Sequence, residues 1–215
     1  MSGKGNQFAQ RLLSWFSANG RDLLWRHDID PYKILVVEKL LQQTTYRQVM
    51  NVYSAFFDKF PDIQKLARAN VLDIEATIRG LGFQRQRAKQ FREMAQVLVK
   101  ELGGRIPSNK EGLLKLKGIG DYVANAVLCF AFNEAVAIVD VNVRRVVGRF
   151  FGWEGIRDRE IERRVLELIP EGKSKQFNWA VIDFSALICS RKPKCENCFL
   201  NDLCSFLNSH LQERR

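Results

Sequence analysis

Apolar residues recur at intervals of three and four along almost the whole chain, a spacing that places them on one face of an α-helix. The clearest stripes are Phe8, Leu12, Leu13, Trp15 and Phe16; Ala88, Phe91, Ala95, Leu98 and Leu102; Val143, Val146, Val147, Phe150 and Phe151; and Ile161, Val165 and Leu168. Only segment 135–139 resembles a strand, and a single strand has no partner with which to form a sheet. The pattern therefore predicts an all-α protein of about ten helices.

Residues that start and stop helices support this interpretation. Ser108, followed three residues later by Glu111, has the spacing of a capping box with Ser108 as the N-cap. Pro61 suits the first turn of a helix. The pair Gly103-Gly104 suits a helix C-terminus.

Two closely spaced glycines separate two of the predicted helices. The turn Lys117-Gly118-Ile119-Gly120 joins a helix expected over 109–115 to one expected over 121–132. Glycine permits a tight turn and a close approach of the backbone to a ligand, and Ile119 can fill the junction of the helices. Amides at the start of the second helix can then bind a phosphate oxygen. The pattern is that of a helix-hairpin-helix, which holds DNA backbone without reading sequence; a plain tight turn is the alternative.

The charge of the chain narrows the choice of partner. Lys and Arg number 34 against 24 Asp and Glu, which gives a net charge of +10, while 46% hydrophobic residues are ordinary for a globular protein. A surface this basic favours nucleic acid or an anionic membrane. No apolar segment approaches the roughly 20 residues of a membrane span, and residues 1–5 lack the apolar core of a signal peptide. We therefore expect an intracellular protein, cytoplasmic or nucleoid-associated, that does not bind membranes.

Four of the five cysteines form a compact group with the spacing Cys-x5-Cys-x2-Cys-x5-Cys: Cys189, Cys195, Cys198 and Cys204. Without an export signal, such a group indicates metal binding rather than disulfides. Zinc sites usually combine two separate Cys-x-x-Cys arms, whereas one compact loop suits a [4Fe–4S] cluster better. Zinc and unbound thiols are the alternatives. The fifth, Cys129, lies in an apolar segment and is interpreted as a core thiol.

The combination of these motifs resembles the endonuclease III-like superfamily of DNA base-excision glycosylases over essentially the whole chain. Supporting segments are 25–28 (Trp-Arg-His-Asp), 41–44 (Leu-Gln-Gln-Thr), 80–83 (Gly-Leu-Gly-Phe) and 139–142 (Val-Asp-Val-Asn). Two departures are Lys117, where the family usually has proline, and a first cysteine spacing one residue shorter than usual. The resemblance implies a six-helix barrel domain over 23–133 with the helix-hairpin-helix at about 109–132. It also implies a helical domain over 1–22 plus 134–215 with the cluster loop at 189–204.

The resemblance also assigns the chemistry. Lyase members carry a lysine where this chain has Tyr122, and tyrosine cannot form a Schiff base. A monofunctional glycosylase that uses water as the nucleophile is therefore implied. Asp140 would stabilise the positive charge that develops on the sugar and orient the water; a plain helix cap is its alternative role.

Glu38 is the second candidate carboxyl group. It is the only acidic residue between Pro31 and Asn51, and burial would raise its pKa so that it could protonate the departing base. The alternative is an exposed glutamate paired with Lys39 or Arg47.

Further residues are implied to contact DNA. Gln42 and Gln43 match a place where the family inserts a side chain into the base stack, and Phe83 resembles an aromatic wedge; ordinary core packing is the alternative for Phe83. Contacts to the DNA backbone are expected from Lys117, Gly118, Ile119, Gly120, Arg144, Arg191, Lys192 and Lys194.

Tyr122 also bears on the target base. Mismatch-specific thymine and uracil glycosylases have tyrosine at this position, which favours excision of thymine or uracil opposite guanine from duplex DNA by a monomeric enzyme. Adenine glycosylases typically have serine there and a further C-terminal domain without counterpart in this sequence, so adenine opposite guanine or oxidised guanine is the alternative. A non-catalytic, structure-specific DNA-binding protein is the alternative of another class.

Overall fold

A computed structural model describes residues 3–212, and for 210–212 it describes the backbone alone. The helices are α1 (Gly3–Asn19), α2 (Pro31–Leu40), α3 (Tyr46–Lys59), α4 (Ile63–Arg68), α5 (Val71–Thr77), α6 (Gln84–Leu102), α7 (Lys110–Leu114), α8 (Asp121–Phe132), α9 (Val141–Phe151), α10 (Asp158–Leu168), α11 (Ser174–Leu187) and α12 (Ser205–Gln212). Short 3-10 turns lie at Leu24–Arg26, Cys195–Asn197 and Asn201–Leu203. No strand occurs within 3–212, and the predicted all-α class is confirmed. The N-terminal motif over residues 1–5 and the last residues of the expected second domain lie partly outside the described residues.

The strand-like segment 135–139 is irregular and does not belong to a sheet. Ile138 N–H donates to Asn178 Oδ1 over 2.9 Å, and Asn178 Nδ2 donates to Val136 O over 3.0 Å. The carboxamide of Asn178 thus makes the two hydrogen bonds that a neighbouring strand would otherwise supply. A single buried side chain replaces the missing strand.

Two predicted helix starts are wrong by one or two residues. The N-cap of α7 is Asn109, whose Oδ1 accepts from Gly112 N–H over 2.8 Å, rather than Ser108. Glu111 forms an i, i+4 ion pair with Lys115 instead of completing a capping box. Asp62 caps α4, so Pro61 lies just before that helix. In both cases an equally good capping residue next along the chain takes the position.

The chain divides into two compact units, here called the central unit (Asp22–Phe132) and the terminal unit (Met1–Arg21 with Asn133–Arg215). In the terminal unit, Phe8 on α1 packs against Phe150 and Phe177, with ring centroids 4.8 and 6.3 Å apart. Fully buried Asp183 on α11 accepts from the Arg21 backbone N–H at 2.7 Å and from Arg21 Nε at 2.8 Å. These contacts fix the N-terminal helix to the C-terminal half of the unit.

In the central unit, α2 lies inside the core. Asp30 caps it and Pro31 occupies its first position. Its apolar residues are buried all round, and so are Glu38 and Lys39. Every residue from Ile34 to Leu40 is buried, and this enclosure of the second half of α2 decides the environment of Glu38.

Within the described residues, no helix combines the length and the apolar character that crossing a membrane requires.

Candidate functional site

Two side chains donate hydrogen bonds to the glycine hairpin of the central unit. Lys39 Nζ donates to Gly118 O over 3.2 Å, and Gln42 Nε2 donates to the same oxygen over 3.4 Å. Gly118 has φ +80°, and a Cβ there would lie 3.0 Å from Lys39 Nζ, so the turn requires glycine. Ile119 is buried at the junction, while Lys117 is exposed and pairs with Glu93 at 3.1 Å.

Two residues beside the hairpin have left-handed backbone conformations that are unusual for non-glycine residues. Gln43 has φ +56° and Phe83 has φ +47°. Each costs on the order of 1–3 kcal/mol and tends to persist where a function requires it. The Phe83 side chain is 71% exposed, so the alternative of a core residue is wrong. Both are residues for which the sequence predicts insertion into DNA.

One buried guanidinium connects these two segments. Arg87, on the first turn of α6, donates from Nε to Gly82 O over 3.1 Å, from Nη1 to Lys39 O over 3.0 Å and from Nη2 to Gln42 O. Arg87 is not among the residues predicted from the sequence. Its position four residues before Phe91, on the apolar face of α6, was the available signal, because a charged residue on a buried face is rare unless its polar groups are satisfied.

The central unit contains an open pocket of about 470 Å³ beside the hairpin, lined by Gln42, Gln43, Phe83, Gln86, Arg87, Gln90, Gly120, Tyr122 and Val123. It brings together five residues that the sequence placed at the site. Tyr122 is half-buried in its wall. Glu38 is not among the lining residues.

Glu38 is 4% exposed, which excludes an exposed surface pair. Its Oε2 is buried without a hydrogen-bond partner. Burial raises the pKa of Glu38 to about 7, against the opposing charge of Arg26. A carboxyl group in this state can hold a proton near neutral pH and donate it.

Asp140 lies in the terminal unit and caps α9. Its Oδ1 accepts from the backbone N–H of Asn142 (2.9 Å) and of Val143 (2.8 Å), and its Oδ2 accepts from Asn142 Nδ2 (2.7 Å). The contacts continue from Asn142 Oδ1 to Arg145 Nη1 (2.9 Å) and from Arg145 Nε to Cys189 O (3.0 Å). Asp140 therefore caps the helix, and a series of hydrogen bonds connects its carboxylate to Cys189, the first of the four clustered cysteines.

The four clustered cysteines line one small, largely apolar cavity of about 30 Å³ in the terminal unit. Arg149 Nη1 lies 3.7 Å from Cys189 Sγ and donates to Ser190 O over 2.6 Å. In the described part of the chain, no three His, Cys, Asp or Glu side chains are arranged to hold a single metal ion. Four soft sulfur donors beside a cation suit a negatively charged iron–sulfur cluster. Burial raises the pKa of the Cys198 thiol to about 11, so metal binding must release its proton.

The basic residues predicted to face DNA differ in their surroundings. Arg191, Lys192 and Lys194 are exposed on the loop after Cys189. Arg144 instead donates to Ile156 O over 2.9 Å and pairs with Asp158. Its guanidinium thus has partners within the protein before any DNA arrives.

Two family models match the chain. Residues 36–171 match the HhH-GPD superfamily of base excision DNA repair proteins, and residues 190–204 match the iron–sulfur binding domain of endonuclease III. The chain belongs to the HhH-GPD superfamily of base excision DNA repair proteins, a class of DNA-binding enzymes. The second match confirms the prediction of an iron–sulfur cluster.

Similar proteins agree with this assignment. A thymine/uracil-DNA glycosylase of Methanothermobacter thermautotrophicus is 38% identical, with 94% of each chain covered. An adenine DNA glycosylase of Buchnera aphidicola subsp. Schizaphis graminum is 34% identical, over 92% of this chain and 58% of its own. The solved structure of a thermostable thymine-DNA glycosylase superposes with a TM-score of 0.92 at 38% identity, covering 96% of this chain and 97% of that one. The predicted resemblance, fold and glycosylase class are confirmed.

Proposed function

We propose that this protein is a monofunctional DNA glycosylase that removes thymine or uracil opposite guanine from duplex DNA. The pocket of the central unit supports this proposal most directly, because it gathers Tyr122 and the residues expected to enter the base stack around one space. The 38% identity to a thymine/uracil-DNA glycosylase supports the choice of base.

The proposed first step is base extrusion. Flipping a base costs a few kcal/mol, least at a mismatch, and inserted side chains recover part of the lost stacking. Exposed Phe83 and Gln43 are suited to this role. Gln42 can also enter the base stack once its side chain releases its hydrogen bond to Gly118 O. The extruded base then lies against Tyr122.

The proposed chemistry divides between two carboxyl groups. Asp140 stabilises the oxocarbenium-like sugar and orients the attacking water. Glu38 keeps its proton to near pH 7 and donates it toward the departing base. Tyr122 has no amine, so water rather than the enzyme becomes bonded to the sugar and an abasic site remains.

DNA affinity is proposed to come from the hairpin and the cluster loop. Cys189, Cys195, Cys198 and Cys204 would hold the cluster, which when bound crosslinks the loop and supplies no step of the hydrolysis. The loop would present Arg191, Lys192 and Lys194 to phosphates, with a strong dependence on salt. We further propose that the enzyme works as a monomer on DNA in the cytoplasm or nucleoid.

A panel of duplexes tests the function. Thymine, uracil and adenine are placed opposite guanine and adenine opposite oxidised guanine, with a matched thymine·adenine duplex as control, and released base is quantified by chromatography. We expect release of thymine and uracil opposite guanine, an abasic strand cleaved only after alkali, and no adduct trapped by borohydride.

Other outcomes would contradict the proposal. Release of adenine alone would assign the adenine specificity, and a trapped adduct would indicate a lyase. Binding without release of any base would indicate a non-catalytic DNA-binding protein.

A further inference from the structure

Two segments expected to touch DNA, 42–43 and 82–83, meet at Arg87. We propose that Arg87 is a positioning residue that holds Gln43 and Phe83 in the left-handed conformations from which they enter DNA. This inference rests on the proposed function and assigns a role to a pocket residue to which the proposed chemistry gives none. Arg87 is 9% exposed, and its guanidinium contacts carbonyl groups rather than a carboxylate.

The carbonyl groups that Arg87 bonds lie directly before the two strained residues. Gly82 O belongs to the peptide group whose nitrogen is that of Phe83, and Gln42 O belongs to the peptide group whose nitrogen is that of Gln43. The angle φ describes rotation about the bond that follows that nitrogen, so fixing the peptide plane helps to fix φ. Arg87 bonds both oxygens. One side chain therefore holds the peptide planes that precede both strained residues.

The same network reaches the hairpin. Lys39 accepts from Arg87 at its carbonyl and donates from Nζ to Gly118 O over 3.2 Å. Gln42 likewise accepts from Arg87 and donates to Gly118 O over 3.4 Å. The inserting residues and the phosphate-binding turn thus form one hydrogen-bonded assembly. Arg87 sets the position of the inserting residues relative to the turn that holds the strand.

Arginine is required by this geometry. Its planar fork offers five donors in fixed directions and spans three carbonyls at once, whereas a lysine ammonium is a point donor on a flexible stem. Arg87→Lys should keep the positive charge but lose the simultaneous hydrogen bonds to the three carbonyl groups. Gln43 and Phe83 would then relax toward ordinary backbone conformations, because the hydrogen bonds to the peptide groups that precede them are lost.

Single-turnover excision from a thymine·guanine duplex tests the proposal, with affinity for a matched duplex measured in parallel. For Arg87→Lys we expect a loss of excision rate of about 10²-fold, as for other small misplacements, with matched-duplex affinity unchanged. 2-Aminopurine beside the mismatch should show weaker unstacking. Arg85→Met is the control, because Arg85 is exposed on the same helix. This substitution removes a full positive charge, whereas Arg87→Lys removes none. Equal losses in Arg85→Met and Arg87→Lys would overturn the proposal.

A double-mutant cycle with Phe83→Ala separates positioning from general stability. If Arg87 acts by presenting the inserting residues, Arg87→Lys should cost clearly less rate when Phe83 is already absent. Equal factors in both backgrounds, or a lowered thermal midpoint that accounts for the whole loss, would refute the role.

Hydrogen exchange supplies a readout that does not depend on excision. In Arg87→Lys, the amides of Thr44 and Leu81, which donate to Leu41 O (3.3 Å) and Ile78 O (3.2 Å) within the two turns, should exchange faster together, while those in the middle of α3 stay protected. If the wild-type protein releases no base, the proposed function fails. Hydrogen exchange still tests whether Arg87 holds the two segments in position. Unchanged exchange at both amides would overturn the inference by itself.

Discussion

Replacing Glu38 by glutamine tests the link between burial and chemistry most directly. The substitution preserves shape but removes the titrating proton. In the wild-type protein Oε2 is buried without a hydrogen-bond partner, and burial raises the pKa from 4.5 to about 7. The folded protein should therefore hold a proton on Glu38 that the unfolded chain releases.

The size and sign of the effect follow from proton linkage. A pKa raised from 4.5 to about 7 corresponds to a penalty of about 3 kcal/mol on the ionised form. Between these two pH values the folded state binds more protons than the unfolded state, so this contribution to stability falls as pH rises. Above pH 7 the penalty is complete. Glu38→Gln should lack this fall, although its buried amide adds a cost that does not vary with pH.

Two assays measure the effect. The side-chain carboxyl carbon of Glu38, followed by NMR in ¹³C-labelled protein and assigned by its loss in the variant, should titrate near pH 7. Single-turnover excision in the wild-type protein should fall above that pH because the proton is lost, and the variant should lose about 10²-fold or more in rate together with this pH dependence. Arg26→Gln should shift the wild-type fall to higher pH, since the Arg26 charge lowers the pKa.

A Glu38 pKa near 4.5 would contradict the predicted effect of burial, because the buried site would then not penalise the charged form. A pH profile unchanged in Glu38→Gln would leave the burial intact and remove the catalytic role.

Four further predictions concern the rest of the site. Asp140→Asn should abolish base release but keep duplex affinity and thermal midpoint, because asparagine caps α9 as well as aspartate does; residual release near the wild-type rate would refute the assignment. Tyr122→Lys should yield a borohydride-trapped protein–DNA adduct that the wild-type protein lacks, and a variant that excises without trapping would contradict the proposed geometry. Gly118→Ala, at φ +80°, should destabilise the protein by about 1 kcal/mol and weaken matched-duplex binding; unchanged affinity by fluorescence anisotropy would exclude the hairpin from DNA contact. Cys198→Ser should lower iron content and visible absorbance, and full iron loading would exclude Cys198 as a ligand.

Local patterns in the sequence were sufficient to predict the helices and the cysteine cluster of this protein. The stripe Val143, Val146, Val147 and Phe150 predicts α9 because three- and four-residue spacing lies within one helix. Four cysteines within one short loop predict a cluster for the same reason, since the ligands are neighbours in sequence.

The tertiary structure decided the environment of the polar residues. The sequence admitted either an exposed or a buried Glu38, and only the enclosure of α2 made it buried. Asn178 completes the hydrogen bonds of a segment some 40 residues away. The partners of Arg87 are set by the fold, which brings Lys39, Gln42 and Gly82 around its guanidinium. Helix formation depends on near neighbours, whereas desolvation and hydrogen bonding of a charged group depend on chain segments that only folding brings together.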